Sequence, residues 1–226
     1  MTLPGALLFD FDGLILDTEG PVFHSWRETF EASGVTLTLE EWSHTIGRAN
    51  AGDPADLLAE RTGRPLDDAR RAARKARRDE LLAAEAVLPG VHDWLEDARR
   101  LGLAIAVASS SEVDWVAGHL ERLDLLDRFA CLTCFDGTLP GKPAPDLYLA
   151  ACEALGVAPA DALAVEDSGN GVKAAKAAGL RCVAVPHDLT RDHDLSGADL
   201  LVRSLGELPL EEARDRLWPA TPGERR

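Results

Sequence analysis

The chain has no apolar run approaching the roughly 20 residues that a membrane-spanning helix needs, and its N-terminus lacks a basic stretch followed by an apolar signal segment. A cytoplasmic protein is the expectation. Basic residues are scarce, with 24 Lys and Arg against 39 Asp and Glu and a formal net charge of -15. That deficit argues against a nucleic-acid partner, because neutralising a phosphate backbone takes an excess of cations. It leaves small phosphorylated ligands open, since a bound divalent cation can reverse the local field. Cysteine is confined to Cys131, Cys134, Cys152 and Cys182. Cys131 and Cys134 have CxxC spacing, but no second such pair or matching His pair exists. Both also fall in an apolar segment that reads as a strand, where residues three apart face opposite sides. Buried, reduced thiols are therefore expected. Internal repeats and low-complexity segments are absent as well.

What is present is an alternation. At 226 residues the chain suits one large domain or a domain with an insertion. Strand-like apolar runs recur at 5–10, 103–108, 130–135, 161–166 and 181–185, and helical patterns occupy 90–101, 112–122, 144–155 and 170–178. This order predicts an α/β fold with a parallel sheet and helices on both faces. The stretch between the first two strands is too long for one crossover helix. It contains helical patterns near 20–32, 39–46, 53–62 and 66–84, separated by turn signals at Ser33-Gly34, Gly47 to Asn50 and Gly63-Arg64-Pro65. A helical unit inserted into the α/β core is predicted, with Pro89-Gly90 marking the return. Within it Arg70, Arg71, Arg74, Lys75, Arg77 and Arg78 form a basic run, a solvated helix face from which one or two side chains could reach a substrate phosphate. Residues 205–226 give a terminal helix at most, then a disordered tail from Pro219 to Arg226.

Chemistry concentrates at strand ends. Ala6-Leu7-Leu8-Phe9 runs into Asp10-Phe11-Asp12-Gly13, and two acids are costly inside a strand buried on both faces. They are expected just past its tip, one carboxylate as nucleophile and one as acid/base partner; an acidic turn is the plainer alternative. Ser109-Ser110-Ser111 follows the second strand and could hold a phosphate or cap a helix. Lys142 in Gly141-Lys142-Pro143 precedes a helix start expected at Pro143. Glu166-Asp167-Ser168 ends the fourth strand and suggests a magnesium site, with an N-cap acid as the alternative. Gly169-Asn170-Gly171-Val172-Lys173-Ala174, with Asp188 downstream, mimics a dinucleotide fingerprint. Electrostatics disfavours it, because Glu166 and Asp167 would repel a pyrophosphate.

These four motifs, in this order and each at a strand end, resemble those of the haloacid dehalogenase superfamily, and the helical insertion resembles the small cap of its β-phosphoglucomutase-like phosphatase group. The resemblance implies a doubly wound, Rossmann-like core over 1–16 and 89–226 and a cap over 17–88. It implies Asp10 as nucleophile, Asp12 as acid/base, Ser109 and Lys142 as further catalytic residues, and a magnesium ion at Asp10, Asp12, Glu166 and Asp167. Substrate contacts are expected from Gly13, Ser110, Glu19, Gly47, Arg48 and Arg77. The implied activity is hydrolysis of a small phosphorylated metabolite such as a sugar phosphate through an aspartyl-phosphate, by a monomer or weak dimer. A phosphosugar mutase is the alternative within the family, although Val22 stands where the mutase's cap histidine is expected and His24 is out of register. A receiver-like module that carries phospho-Asp is the alternative outside it.

Overall fold

The computed structural model describes residues 4–43 and 52–219. Six strands, β1 (Ala6–Phe9), β2 (Ala104–Ser109), β3 (Cys131–Cys134), β4 (Ala162–Glu166), β5 (Arg181–Ala184) and β6 (Leu200–Leu201), form one sheet in the order β3-β2-β1-β4-β5-β6. Every neighbouring pair is parallel, and β1 lies centrally, with Phe9 opposite both Val107 and Val165. The doubly wound α/β architecture is the one predicted. β6 is not: two residues are too few to show a period, and Leu201 is 63% exposed.

Strand alternation gives the sheet two unlike faces. Leu7, Phe9, Ile105, Val107, Leu163, Val165 and Val183 make one bulky face, packed against α5 (Val91–Leu101), α6 (Val113–Arg122) and α9 (Leu210–Leu217). The other carries Ala6, Leu8, Ala106, Ala108, Ala162, Ala164, Cys182 and Ala184. Small side chains there let α7 (Asp146–Leu155) and α8 (Gly169–Ala177) pack onto the sheet, with Tyr148 and Cys152 filling the space. Cys131 belongs to the alanine-rich face and Cys134 to the bulky one, so the CxxC pair points two ways as expected. All four thiols are free, but Cys131 and Cys134 are half-buried rather than buried, because β3 is an edge strand.

Between β1 and β2 lie α1 (Glu19–Glu31), α2 (Leu39–Ser43), α3 (Pro54–Thr62) and α4 (Asp68–Ala84). They bury a cluster of their own, built on Phe23, Trp26, Phe30, Trp42 and Leu58. Asp53 and Asp67 cap α3 and α4 by accepting from Ala55 N and Arg70 N. The turn expected at Gly47 to Asn50, and the end of the helix expected over 39–46, lie outside the described residues. So does most of the expected tail after Pro219. The terminal segment is a short 3-10 turn at Leu205–Glu207 followed by α9, and α7 starts at Asp146 rather than at the expected Pro143. Among the described residues no helix is long and apolar enough to cross a membrane.

Candidate active site

The sheet's alternation carries on into the acids. Asp10 N donates to Val165 O at 2.9 Å, so the main chain stays in register one residue beyond β1. Asp10 and Glu166 share parity with Leu8 and Ala164, and both emerge on the alanine-rich side, where α7 approaches. Lys142 Nζ donates to Asp10 Oδ1 and to Glu166 Oε1, each at 2.6 Å, and the Tyr148 hydroxyl donates to the same Glu166 oxygen at 2.5 Å. Asp167 completes the group. One carboxylate oxygen from each of Asp10, Glu166 and Asp167 lies within 4.8 Å of the others, and all three residues are buried.

Two oxygens in this cluster, Glu166 Oε2 and Asp167 Oδ2, are buried without a hydrogen-bond partner among the described residues. An orphaned carboxylate oxygen in a buried site is costly, and a hard divalent cation that prefers oxygen ligands offsets that cost. The donor set therefore fits magnesium. Burial, reinforced by the charges of Glu166 and Asp12 and opposed by Lys142, raises Asp10 to about 7. Burial and the charges of Asp10 and Glu166 lift Asp167 well above the usual carboxylate range. Burial works against the Lys142 ammonium, but Asp10 and Glu166 outweigh it and its pKa is raised. A cation beside these acids would favour their ionised forms.

Two glycines make room for the cluster. Gly13 sits at φ +78°, and a Cβ there would fall 2.5 Å from Asp167 Oδ2. At Gly171 a Cβ would lie 1.8 Å from Glu166 Oε2, inside its carboxylate. Gly171, which suggested a dinucleotide loop, thus clears space for an acid instead.

Asp12 is held differently. Its Oδ1 accepts from Thr18 Oγ1 at 2.6 Å and from Trp115 Nε1 at 2.9 Å, while Oδ2 accepts from Ser111 Oγ at 2.6 Å. It stands half-buried at the edge of a cavity of about 350 Å³. Val22, Trp26, Trp42 and Trp115 line much of that cavity, together with Glu19 and Arg78. Burial, then the negative charges of Asp12 and Asp17, raise Glu19 to about 8 against the hydrogen bond it shares with Trp42.

The family model for haloacid dehalogenase-like hydrolases matches residues 4–179. The chain belongs to that family. Similar proteins within it include YhcW of Bacillus subtilis, named as a candidate phosphatase, 41% identical over 94% of this chain and 97% of that protein. A phosphorylated-carbohydrates phosphatase of Thermotoga maritima is 32% identical over 88% of this chain and 94% of its own length. Among solved structures, CbbY from Rhodobacter sphaeroides in complex with phosphate superposes with a TM-score of 0.73 at 30% identity, over 91% of this chain and 96% of that one. An aspartate-to-asparagine variant of CbbY, solved with xylulose 1,5-bisphosphate, gives a TM-score of 0.72 at 31% identity, over 91% of this chain and 96% of that one.

Measured against the haloacid dehalogenase motifs, the sequence's candidates divide into three groups. Asp10, Lys142, Glu166 and Asp167 converge. The serine triplet converges too, but not as helix caps, since the N-cap of α6 is Glu112. Ser109 Oγ accepts from Ser111 N at 3.0 Å, Ser110 Oγ accepts from Lys142 N at 3.1 Å, and Ser111 reaches Asp12. Gly13 and Arg77 have partners within the chain. The Gly13 N–H is spent on Leu16 O at 2.8 Å, and Arg77 is paired with Glu28 and Glu80 at 3.1 and 2.8 Å. Arg78 reaches the cavity in its place. Gly47 and Arg48 lie outside the described residues. The sequence does not single out Ser111, Trp115 or Tyr148: Ser111 is one of three adjacent serines, and nothing local marks the two aromatics. Burial and the nearby acids push the Cys134 thiol up to about 12.

Proposed function

We propose that this hydrolase of phosphoric monoesters is a magnesium-dependent phosphatase of a small phosphorylated metabolite, a sugar phosphate by class, acting through an aspartyl-phosphate. The observation that carries the reading is the contrast between two acids two residues apart. Asp10 sits in a buried group with Lys142 and the orphaned oxygens, whereas Asp12 is fixed by three donors beside the cavity. One is set for attack and the other for proton transfer.

In this reading Asp10 attacks phosphorus, the ester P–O bond breaks, and the leaving oxygen takes a proton from Asp12. Water then attacks the aspartyl-phosphate while Asp12 accepts its proton. The bond from phosphorus to the Asp10 oxygen breaks, which frees inorganic phosphate and restores the carboxylate. Ser109, the backbone N–H of Ser110 and Lys142 hold the phosphoryl group. Magnesium would be held by Asp10, Asp167, Glu166 and the Asp12 carbonyl, and when bound it supplies positive charge against the repulsion between Asp10 and phosphate. Residues 17–88 serve as a cap on a core of 1–16 and 89–226, keeping bulk water from the intermediate.

A sugar phosphate suits a cavity with three tryptophans, whose faces pack on C–H surfaces while Glu19 offers a polar handle. The name of the carbohydrate phosphatase and the sugar bisphosphate bound by the CbbY variant support the same class. Val22 lines the cavity and His24 is exposed, which weighs against the mutase alternative. The test is phosphate release from a panel of sugar phosphates with magnesium present. Asp10→Asn should lower it on the order of 10⁴-fold or more. Accumulation of a stable phospho-Asp without turnover would favour a receiver-like module, and glucose 6-phosphate formed from β-glucose 1-phosphate would favour a mutase.

A further inference from the structure

Trp115 takes no part in the bond-making steps just described, yet its indole Nε1–H donates to Asp12 Oδ1 at 2.9 Å. The ring is held from two directions. His119 meets it edge-on with centroids 4.4 Å apart, and the Arg78 guanidinium carbon lies 5.2 Å from its centroid. His119 in turn stacks on Phe11 at 6.1 Å, and Phe11 is the residue between Asp10 and Asp12. A column of Phe11, His119, Trp115 and Arg78 thus runs from the loop carrying both acids to α4 of the cap.

Arg78 suits this place better than a role as phosphate ligand. Its Nη2 and Nε both donate to Asp79 Oδ1, at 2.6 and 2.9 Å, so its charge is already compensated while its plane stays free to lie against an indole. At the other end, the donors to Asp12 come from separate parts of the chain: Thr18 at the entry to α1, Ser111 before α6, and Trp115 within it. Together they fix the carboxylate's plane. A carboxyl that protonates a leaving oxygen must present its proton along one direction, and losing one donor lets the group rotate away from it.

We infer that Trp115 is a positioning residue for proton transfer by Asp12, and that Arg78 holds the indole in place from the cap side of the cavity. The inference rests on the acid role proposed for Asp12 above. It predicts a dependence on the leaving group. A sugar alkoxide is strongly basic and needs the proton; p-nitrophenolate is weakly basic and leaves with little help.

The experiment uses the full chain with magnesium and enzyme in excess, so that release of the alcohol or phenol reports only transfer to Asp10. Trp115→Phe keeps a ring and removes the donor. It should slow transfer from the preferred sugar phosphate about tenfold, and at least about five times more than transfer from p-nitrophenyl phosphate. Asp12→Asn should show the same split, larger, and Trp115→Phe should add little on top of it. Arg78→Gln, whose parent side chain is 20% exposed, gives an independent arm with the same split at about threefold. In a ¹⁵N–¹H spectrum, the Trp115 indole resonance should move in Asp12→Asn. Equal slowing of both esters, or an indole resonance that does not move, would overturn the inference. If the parent protein hydrolyses neither ester, the phosphatase reading fails first and this inference with it.

Discussion

The acid cluster at the strand tips and the tryptophan-lined cavity meet at Asp12, but they are built in opposite ways. In the cluster Asp10 and Glu166 leave a sheet whose main chain is already hydrogen-bonded, Lys142 bridges them, and two oxygens remain without partners among the described residues. The cavity takes much of its lining from side chains of the inserted helices, chiefly Val22, Trp26 and Trp42. The first region fixes geometry through the backbone and gathers three buried acids around one lysine. The second sets shape through apolar packing, which can be altered one side chain at a time. Under the proposed function, reaction and substrate choice fall to separable parts of one site.

The largest effect that would sharpen the contrast is on stability at the cluster. Lys142→Met removes the cation that pairs with both Asp10 and Glu166, and should destabilise the metal-free protein by about 3–5 kcal/mol in denaturant titrations. Magnesium should then stabilise the variant more than it stabilises the parent, because more charge is left uncompensated. An unchanged midpoint would mean that the cluster is neutralised by protons alone.

A smaller effect belongs to the cavity. Glu19 is raised to about 8 by burial and by Asp12 and Asp17, from an ordinary value of 4.5. Its folded-state pKa lies above the unfolded one, so its stabilising contribution is full below about pH 4.5 and is lost as pH rises through about 8. Glu19→Gln cannot ionise. The variant's stability relative to the parent should therefore increase by about 1–2 kcal/mol between pH 5 and pH 8.5, a figure discounted for partial exposure. A pH-independent difference would show that Glu19 stays ionised, and that the cavity resembles the cluster more than its apolar walls suggest.

The two regions also differ in how far the sequence revealed them. Asp10, Lys142 and Glu166-Asp167 were legible because each follows or neighbours a local pattern, an apolar run ending in charge or a turn dipeptide. Ser111 and Trp115 on Asp12, and Tyr148 on Glu166, depend on how α6 and α7 rotate against the sheet, which no local pattern encodes. Arg77 and Arg78 make the point most clearly. Successive helix residues point about 100° apart, so a basic run predicts that some arginine faces the cavity without telling which. Arg77 turned to Glu28, and Arg78 turned to Trp115. β6 was missed for a different reason, being too short to carry a period.

The smallest effect lies where the two regions are joined. His187, in the loop after β5, places Nε2 3.2 Å from Asp17 Oδ2 at the start of the helical insertion, and Leu189 two residues on packs against the helical cluster. Burial alone would lower the His187 pKa, but Asp17, with Asp188 and Glu19 adding to it, raises the net value above 6.5. Burial would likewise raise Asp17, but its hydrogen bonds with His187 and Gly20, and the charges of His187 and His24, bring it below 3.8. The histidine's contribution is present below pH 6.5 and is lost as pH rises through its raised value, while the aspartate's is present above pH 3.8 and is lost as pH falls through its lowered one. The pair is thus strongest between those limits. His187→Asn should cost about 1 kcal/mol at pH 6 and much less at pH 8.5, as read from paired thermal melts. A cost that stays constant with pH would mean that the contact is a neutral hydrogen bond, and that the junction between core and insertion is held by the packing of Leu189 rather than by charge.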